Sequence, residues 1–297
     1  MGVIVSDYKP YYVPSSSHWP LIGAFGLFLF GAGAAAWVHG KTMGAYIFFI
    51  GCIIICSMLY GWFANVIAES KNNLYSEQMD RSFRWAMVWF IFSEVMFFAV
   101  LFGVLFYVRQ FAVPWLAGAG SKVATHEFLW QNFVADWPLL HNPNPRLFVA
   151  PKMYMHAWPL PTINTIFLLT SSITLTIAHY ALIEGKRKKL NVFLGLTILL
   201  GVLFLSLQAY EYYEAYHILG LKLNSGIYGT TFFMLTGFHG VHVTIGSIIL
   251  FVILVRCIKG DFEVKKHFAF EAAAWYWHFV DVVWLFLYVF VYILPVK

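Results

Sequence analysis

Of 297 residues, 61% are hydrophobic, 20% aromatic and only 11% charged. Soluble domains carry about 25% charged residues, so this composition excludes a dissolved monomeric globule and makes lipid the expected solvent. The net charge of +5 does not indicate nucleic acid, because the nineteen Lys and Arg lie mostly in short segments between apolar runs and form no single basic face. Cys52 and Cys56 lie four apart inside an apolar run and read as small core residues on one side of a helix. With Cys257 as the only other cysteine, they lack the second pair that would complete a metal framework.

In chain order, the first eighteen residues, through Tyr11, Tyr12 and Pro14, are polar and Pro-punctuated, without the apolar core of a signal peptide. A bilayer core of about 30 Å needs about 20 apolar helical residues. Seven stretches meet that length, near 19–39, 44–67, 82–111, 161–183, 190–214, 227–257 and 268–294. Turn signals separate them, among them His39-Gly40-Lys41, Glu184-Gly185, Asn224-Ser225-Gly226 and Gly260-Asp261. The expected fold is an all-α polytopic bundle forming one membrane domain over 1–297. Its one long connection, 112–160, is rich in Trp and Pro.

Positive charge orients such a bundle. Lys9, Lys71, Arg81, Arg84, Lys186, Arg187, Lys188, Lys189, Arg256, Lys259, Lys265 and Lys266 share the side of the N-terminus. Lys41, Arg109, Lys122, Arg146, Lys152, Lys222 and Lys297 lie opposite, twelve against seven. The expected N-terminus is therefore cytoplasmic and the C-terminus outside, which is periplasmic in a bacterial plasma membrane. The long outer loop favours that membrane over the mitochondrial inner membrane.

Ionisable groups at membrane depth are costly, and each is a functional candidate. Glu94 lies more than three helical turns into the third span. Glu211 and Glu214 lie near the outer end of the fifth span, among Tyr210, Tyr212 and Tyr213. His239 and His242 are spaced i, i+3 on the sixth. Glu271, Trp275 and His278 form an i, i+4, i+7 stripe on the seventh, with Asp281 one turn beyond His278. Three readings compete: a proton or ion pathway, as in an independent proton-coupled transporter or channel; haem ligation; or bonding between helices. Haem ligation is disfavoured, because no span carries a His pair about four turns apart. Nothing in the chain resembles a phosphate loop or an activated nucleophile, and no catalytic residue or metal site is expected. Gly23, Gly26, Gly31 and Gly33 in the first span read as close-packing positions.

Longer motifs add a resemblance. The run HFAFEAAAWYWHFVDVVWLFLYV from His267 to Val289 is similar to the signature of cytochrome c oxidase subunit III, with Ala269 where that family has Gly. SGIYGTTFFMLTGFHGVHVTIG from Ser225, QAYEYYEA from Gln208, INTIFLLTSSITLTIAHYAL from Ile163, FIFSEVMFFA from Phe90 and HWPLIGA from His18 resemble the same family, in family order. The resemblance implies two N-terminal and five C-terminal helices enclosing a V-shaped, lipid-filled cleft. It implies a noncatalytic subunit docked with subunits I and II of an aa3-type oxidase, whose haems and copper lie in those partners, with bound phospholipid and a supporting role in proton uptake. It further implies that Glu94 is the family's buried reactive carboxylate, and that Arg256 and Lys259 hold phospholipid headgroups. Trp62 and Glu69 match other cleft residues. Trp62-Phe63-Ala64-Asn65 and Val66-Ile67-Ala68-Glu69 depart from a family pattern with two arginines and an aspartate, so headgroup chemistry there is expected to move to Lys71, Arg81 or Arg84.

Overall fold

A computed structural model of the chain describes residues 12–13, 16–264 and 266–294. Tyr11 and Pro14, and Lys9, Lys265 and Lys297 of the charge count, lie outside the described residues. The helices are α1 (Trp19–Val38), α2 (Thr42–Lys71), α3 (Glu77–Tyr107), two short pieces α4 (Val113–Leu116) and α5 (Val123–Phe128), then α6 (Leu160–Ile183), α7 (Arg187–Glu214), α8 (Ile227–Lys259) and α9 (Phe268–Leu287). Among the described residues, seven helical stretches, beginning at Trp19, Thr42, Glu77, Leu160, Arg187, Ile227 and Phe268, are long and apolar enough to cross a membrane. The all-α expectation of seven spans therefore holds.

Helix ends differ from the expected ones where local caps outrank hydropathy. The polar stretch after residue 67 is mostly helical: α2 continues through Lys71, and α3 begins at Glu77. Only five residues connect them, with Asn73 at φ 55°. Ser76 Oγ accepts the Met79 N–H, and Glu77 and Asp80 stand in the first turn of α3, where carboxylates suit the exposed N–H groups. At the far end of α8, Gly260 at φ 78° closes the helix, a conformation that costs glycine little. α3, α7 and α9 each run on into a π-helical turn, at Val108–Ala112, Ala215–Leu219 and Tyr288–Ile293.

The chain divides into two compact units, Met1–Trp85 and Ala86–Lys297. In the first, α1 and α2 pack against one another along their whole length. Glycine makes this possible: a Cβ on Gly33 would lie 2.3 Å from Phe48 N, one on Gly44 2.3 Å from Trp37 N, and one on Gly51 2.5 Å from Phe30 N. Gly23 and Gly26 also face α2, whereas Gly31 has nothing within 4 Å, because it lies on the opposite side of the helix. Cys56 is exposed and Cys52 half-buried, so the two are not the core residues their apolar run suggests.

In the second unit, α6, α7, α8 and α9 pack in a ring, each against its chain neighbour, with α9 returning to α6. Trp277 and Trp284 are fully buried at its centre. The Trp277 indole lies in a slot formed by Gly201 of α7 and Gly246 of α8, whose added Cβ atoms would meet it at 2.7 and 2.9 Å. Its Nε1 donates to Ser171 Oγ of α6 at 2.9 Å, and Trp284 Nε1 donates to Thr165 Oγ1 at the same distance. The part of α3 beyond Trp85 meets α8 and α9 through long aromatic side chains, with Phe97 against Phe238, Phe98 against Phe279, and Phe102 against Phe286 and Phe290.

Candidate functional site

Glu94 projects from α3 towards α8, where its Oε2 lies 2.9 Å from His242 Nε2. The Phe97 and Phe98 rings lie 6.0 and 5.0 Å from the imidazole, and Tyr276 stacks at 6.4 Å. His242 Nδ1 lies 2.7 Å from the Phe238 carbonyl oxygen, one turn back on α8. A carbonyl only accepts, so Nδ1 carries a proton. Nε2 then either accepts from a protonated Glu94 or donates to its carboxylate. In both cases one proton is shared along this bond, and the pair links α3 to α8.

The i, i+3 spacing does not bring the two histidines to a common task. His239 is buried between Phe204 and Trp284, with ring centroids at 5.8 and 5.2 Å, and among the described residues neither of its nitrogens has a hydrogen-bond partner. The α9 stripe is also divided. His267 Nε2 meets Glu271 Oε1 at 3.0 Å, whereas His278 Nδ1 meets Ser172 Oγ of α6 at 2.7 Å and lies 3.6 Å from Asp281 Oδ2. Asp281 is buried close to His278 and Ser172, yet among the described residues neither of its oxygens accepts a hydrogen bond of full geometry. His179 of α6 joins His267 and Glu271, all three offering ligand atoms within 4.8 Å of one another. His267 already directs Nε2 to Glu271 and Nδ1 to the Glu263 carbonyl at 3.3 Å. Neither His179 nor Ser172 was singled out from the sequence, since partners about ninety or more positions apart leave no local pattern.

The residues expected to meet lipid fall in both units. In the first, Trp62 is half exposed and stacks on Phe63, and Arg84 pairs with Asp80 at 2.8 Å. Glu69 accepts from the Tyr75 hydroxyl at 2.7 Å. In the second, Arg256 lies over the Phe262 ring, 4.4 Å from its centroid, with Nε 3.6 Å from Asp261. Lys259, one turn later, is exposed. Arg187 donates to the Phe262 carbonyl and so joins the α6–α7 turn to the α8–α9 turn.

A profile of cytochrome c oxidase subunit III matches residues 9–119 and 151–296. The chain belongs to the cytochrome c oxidase subunit III family. It is 40% identical over 286 residues to "Probable cytochrome c oxidase subunit 3" of Rickettsia bellii, covering 95% of each chain. It is likewise 40% identical over 283 residues to cytochrome c oxidase subunit 3 of Mus musculus, covering 95% of this chain and 96% of that one. As a subunit III, the chain is a multi-pass membrane component of the respiratory-chain oxidase and implies other oxidase subunits beside it. The stretch outside the profile lies within the connection between α3 and α6, which carries only short helical pieces.

Proposed function

We propose that this chain is the noncatalytic third core subunit of an aa3-type cytochrome c oxidase, stabilising subunit I and sustaining proton uptake. Subunits I and II supply the haems and copper, and phospholipid is bound to this subunit's one membrane domain. The N-terminus is cytoplasmic in a bacterial plasma membrane. The observation that carries this reading is the Glu94–His242 pair: the deepest carboxylate of α3 is bonded across to α8, as in a helix-to-helix fastening. Ser172 with His278 and Glu211 with Tyr292 repeat the pattern across other helix pairs. Carboxylates so engaged support assembly and proton holding more than transport through this chain alone. Lys259, exposed beyond a braced Arg256, suits an anionic headgroup. Trp62, Glu69 and Arg84 are the corresponding candidates of the first unit.

Gentle extraction of the tagged chain, followed by a visible spectrum and mass spectrometry, tests the assignment. Haem absorbance and two larger subunits are expected to co-purify. A colourless chain that emerges alone, folded, and passes protons in liposomes would overturn it. In the assembled complex, Glu94→Ala is expected to leave the haem spectra intact and to alter turnover durability or proton uptake modestly. Complete loss of oxygen reduction in a fully assembled complex would refute the noncatalytic role.

A further inference from the structure

Where α7 and α9 finish, the second unit holds buried polar atoms that, among the described residues, make no hydrogen bond of full geometry. Glu211 of α7 is fully buried. Its Oε1 accepts from the Tyr292 hydroxyl at 2.6 Å, while among the described residues its Oε2 accepts no hydrogen bond of full geometry. Gln208, one turn earlier on the same face of α7, is buried close to Glu211 and Tyr292, yet among the described residues neither of its amide atoms makes a hydrogen bond of full geometry. Among the described residues, no Lys, Arg or His forms an ion pair with Glu211. Unsatisfied groups at this density are rare in native interiors, and ordered water is the usual occupant where several converge.

The donor and acceptor set identifies the ligand. Glu211 Oε2 and Gln208 Oε1 accept, whereas Gln208 Nε2 donates. A metal cation would serve the two oxygens and leave the amide nitrogen bare. An apolar molecule would serve none of the three. Water serves all, because it donates twice and also accepts. The surroundings fit a closed site. Phe204, one turn before Gln208, packs edge-on against Trp284 at 4.7 Å, and the Trp284 ring lies 5.9 Å from that of Tyr292. Both helices that carry the site widen there: Tyr292 lies within the π-turn of α9, and α7 enters its own at Ala215, four residues after Glu211. Such turns are frequent at functional sites. We propose that ordered water occupies this site, bridging Gln208 and Glu211 beside the Tyr292 hydroxyl.

Two measurements on the assembled oxidase test it. At a resolution that shows solvent, density is expected within about 3.2 Å of both Glu211 Oε2 and the Gln208 amide. A dry site with Gln208 bonded directly to Glu211 overturns the proposal, as does density at the shorter distances of a metal ion. The second measurement compares Gln208→Leu, Glu211→Leu and the double variant by the temperature at which the chain leaves the complex. If water bridges the two groups, each single change strands the remaining group, so the double variant loses less than the sum of the singles. Losses that simply add overturn it.

Discussion

Gly33→Ala, compared with Gly31→Ala two residues away on the same helix, tests whether backbone contact holds the α1–α2 pair. The added methyl at Gly33 would lie 2.3 Å from Phe48 N, 2.7 Å from Phe48 Cα and 2.9 Å from Ile47 C. All three are main-chain atoms, so no rotamer change relieves the overlap. Ordinary contact begins near 3.4 Å, so the helices must part locally by about 1 Å. A gap of that size forfeits about a quarter to a half of each contact it opens. Overpacking of this kind costs roughly 1–3 kcal/mol. At Gly31 nothing lies within 4 Å, and alanine there gains about 0.5–1 kcal/mol of helix stability. The two variants should therefore differ by roughly 1.5–4 kcal/mol, with opposite signs relative to the parent. Reversible unfolding of the full chain in bicelles, followed by a label on α1 and another on α2, measures the difference. Equal effects at the two positions would mean that the glycine contacts do not hold the pair.

Three further outcomes follow from the packing and the ionisable groups. Trp277→Ala empties the slot between Gly201 and Gly246 and strands Ser171, so it should cost about 3–5 kcal/mol. Unchanged thermal release of the chain from the oxidase would contradict that packing. His242→Leu leaves Glu94 without its partner and should destabilise the chain by roughly 1–3 kcal/mol; His242→Leu in a Glu94→Leu background should cost less, and a double-mutant cycle measures the coupling. Tyr75 lies outside the spans, and its phenol is raised above the usual 10.0 by burial, then by its bond to Glu69 and that carboxylate's charge. The folded state therefore holds this proton more tightly than the unfolded one. The resulting stability is intact below about pH 10 and is lost as pH rises towards the folded value. Ultraviolet titration should find Tyr75 ionising late, and Tyr75→Phe should remove that part of the alkaline loss.

The lipid reading has its own measurement. Joint replacement of Arg256 and Lys259 by alanine should lower retention of anionic phospholipid in the purified complex. Unchanged lipid by mass spectrometry would refute headgroup binding at the end of α8.

The sequence alone determined the solvent, the number of spans and the family. Apolar runs of fixed length and sparse charge follow directly from the need to satisfy every backbone group inside lipid, and the motifs of α3 and of α6 to α9 are contiguous words. The start of α3 was less legible, because Ser76 acts through a local cap that hydropathy does not register, whereas Gly260 ends α8 at the turn its sequence signals. Partnership was decided only by the tertiary structure. His239 and His242 share a helix face in the sequence, yet one is enclosed by Phe204 and Trp284 while the other meets Glu94, 148 positions away. Glu211 read as a polar residue near a span end, but its burial and its bond to Tyr292 required α7 and α9 to be packed together. The physical reason is one of range. Burial and helix formation are set by residues within a few turns, whereas a hydrogen bond across the bundle depends on which faces meet, and that is fixed by the glycine and tryptophan contacts between distant helices.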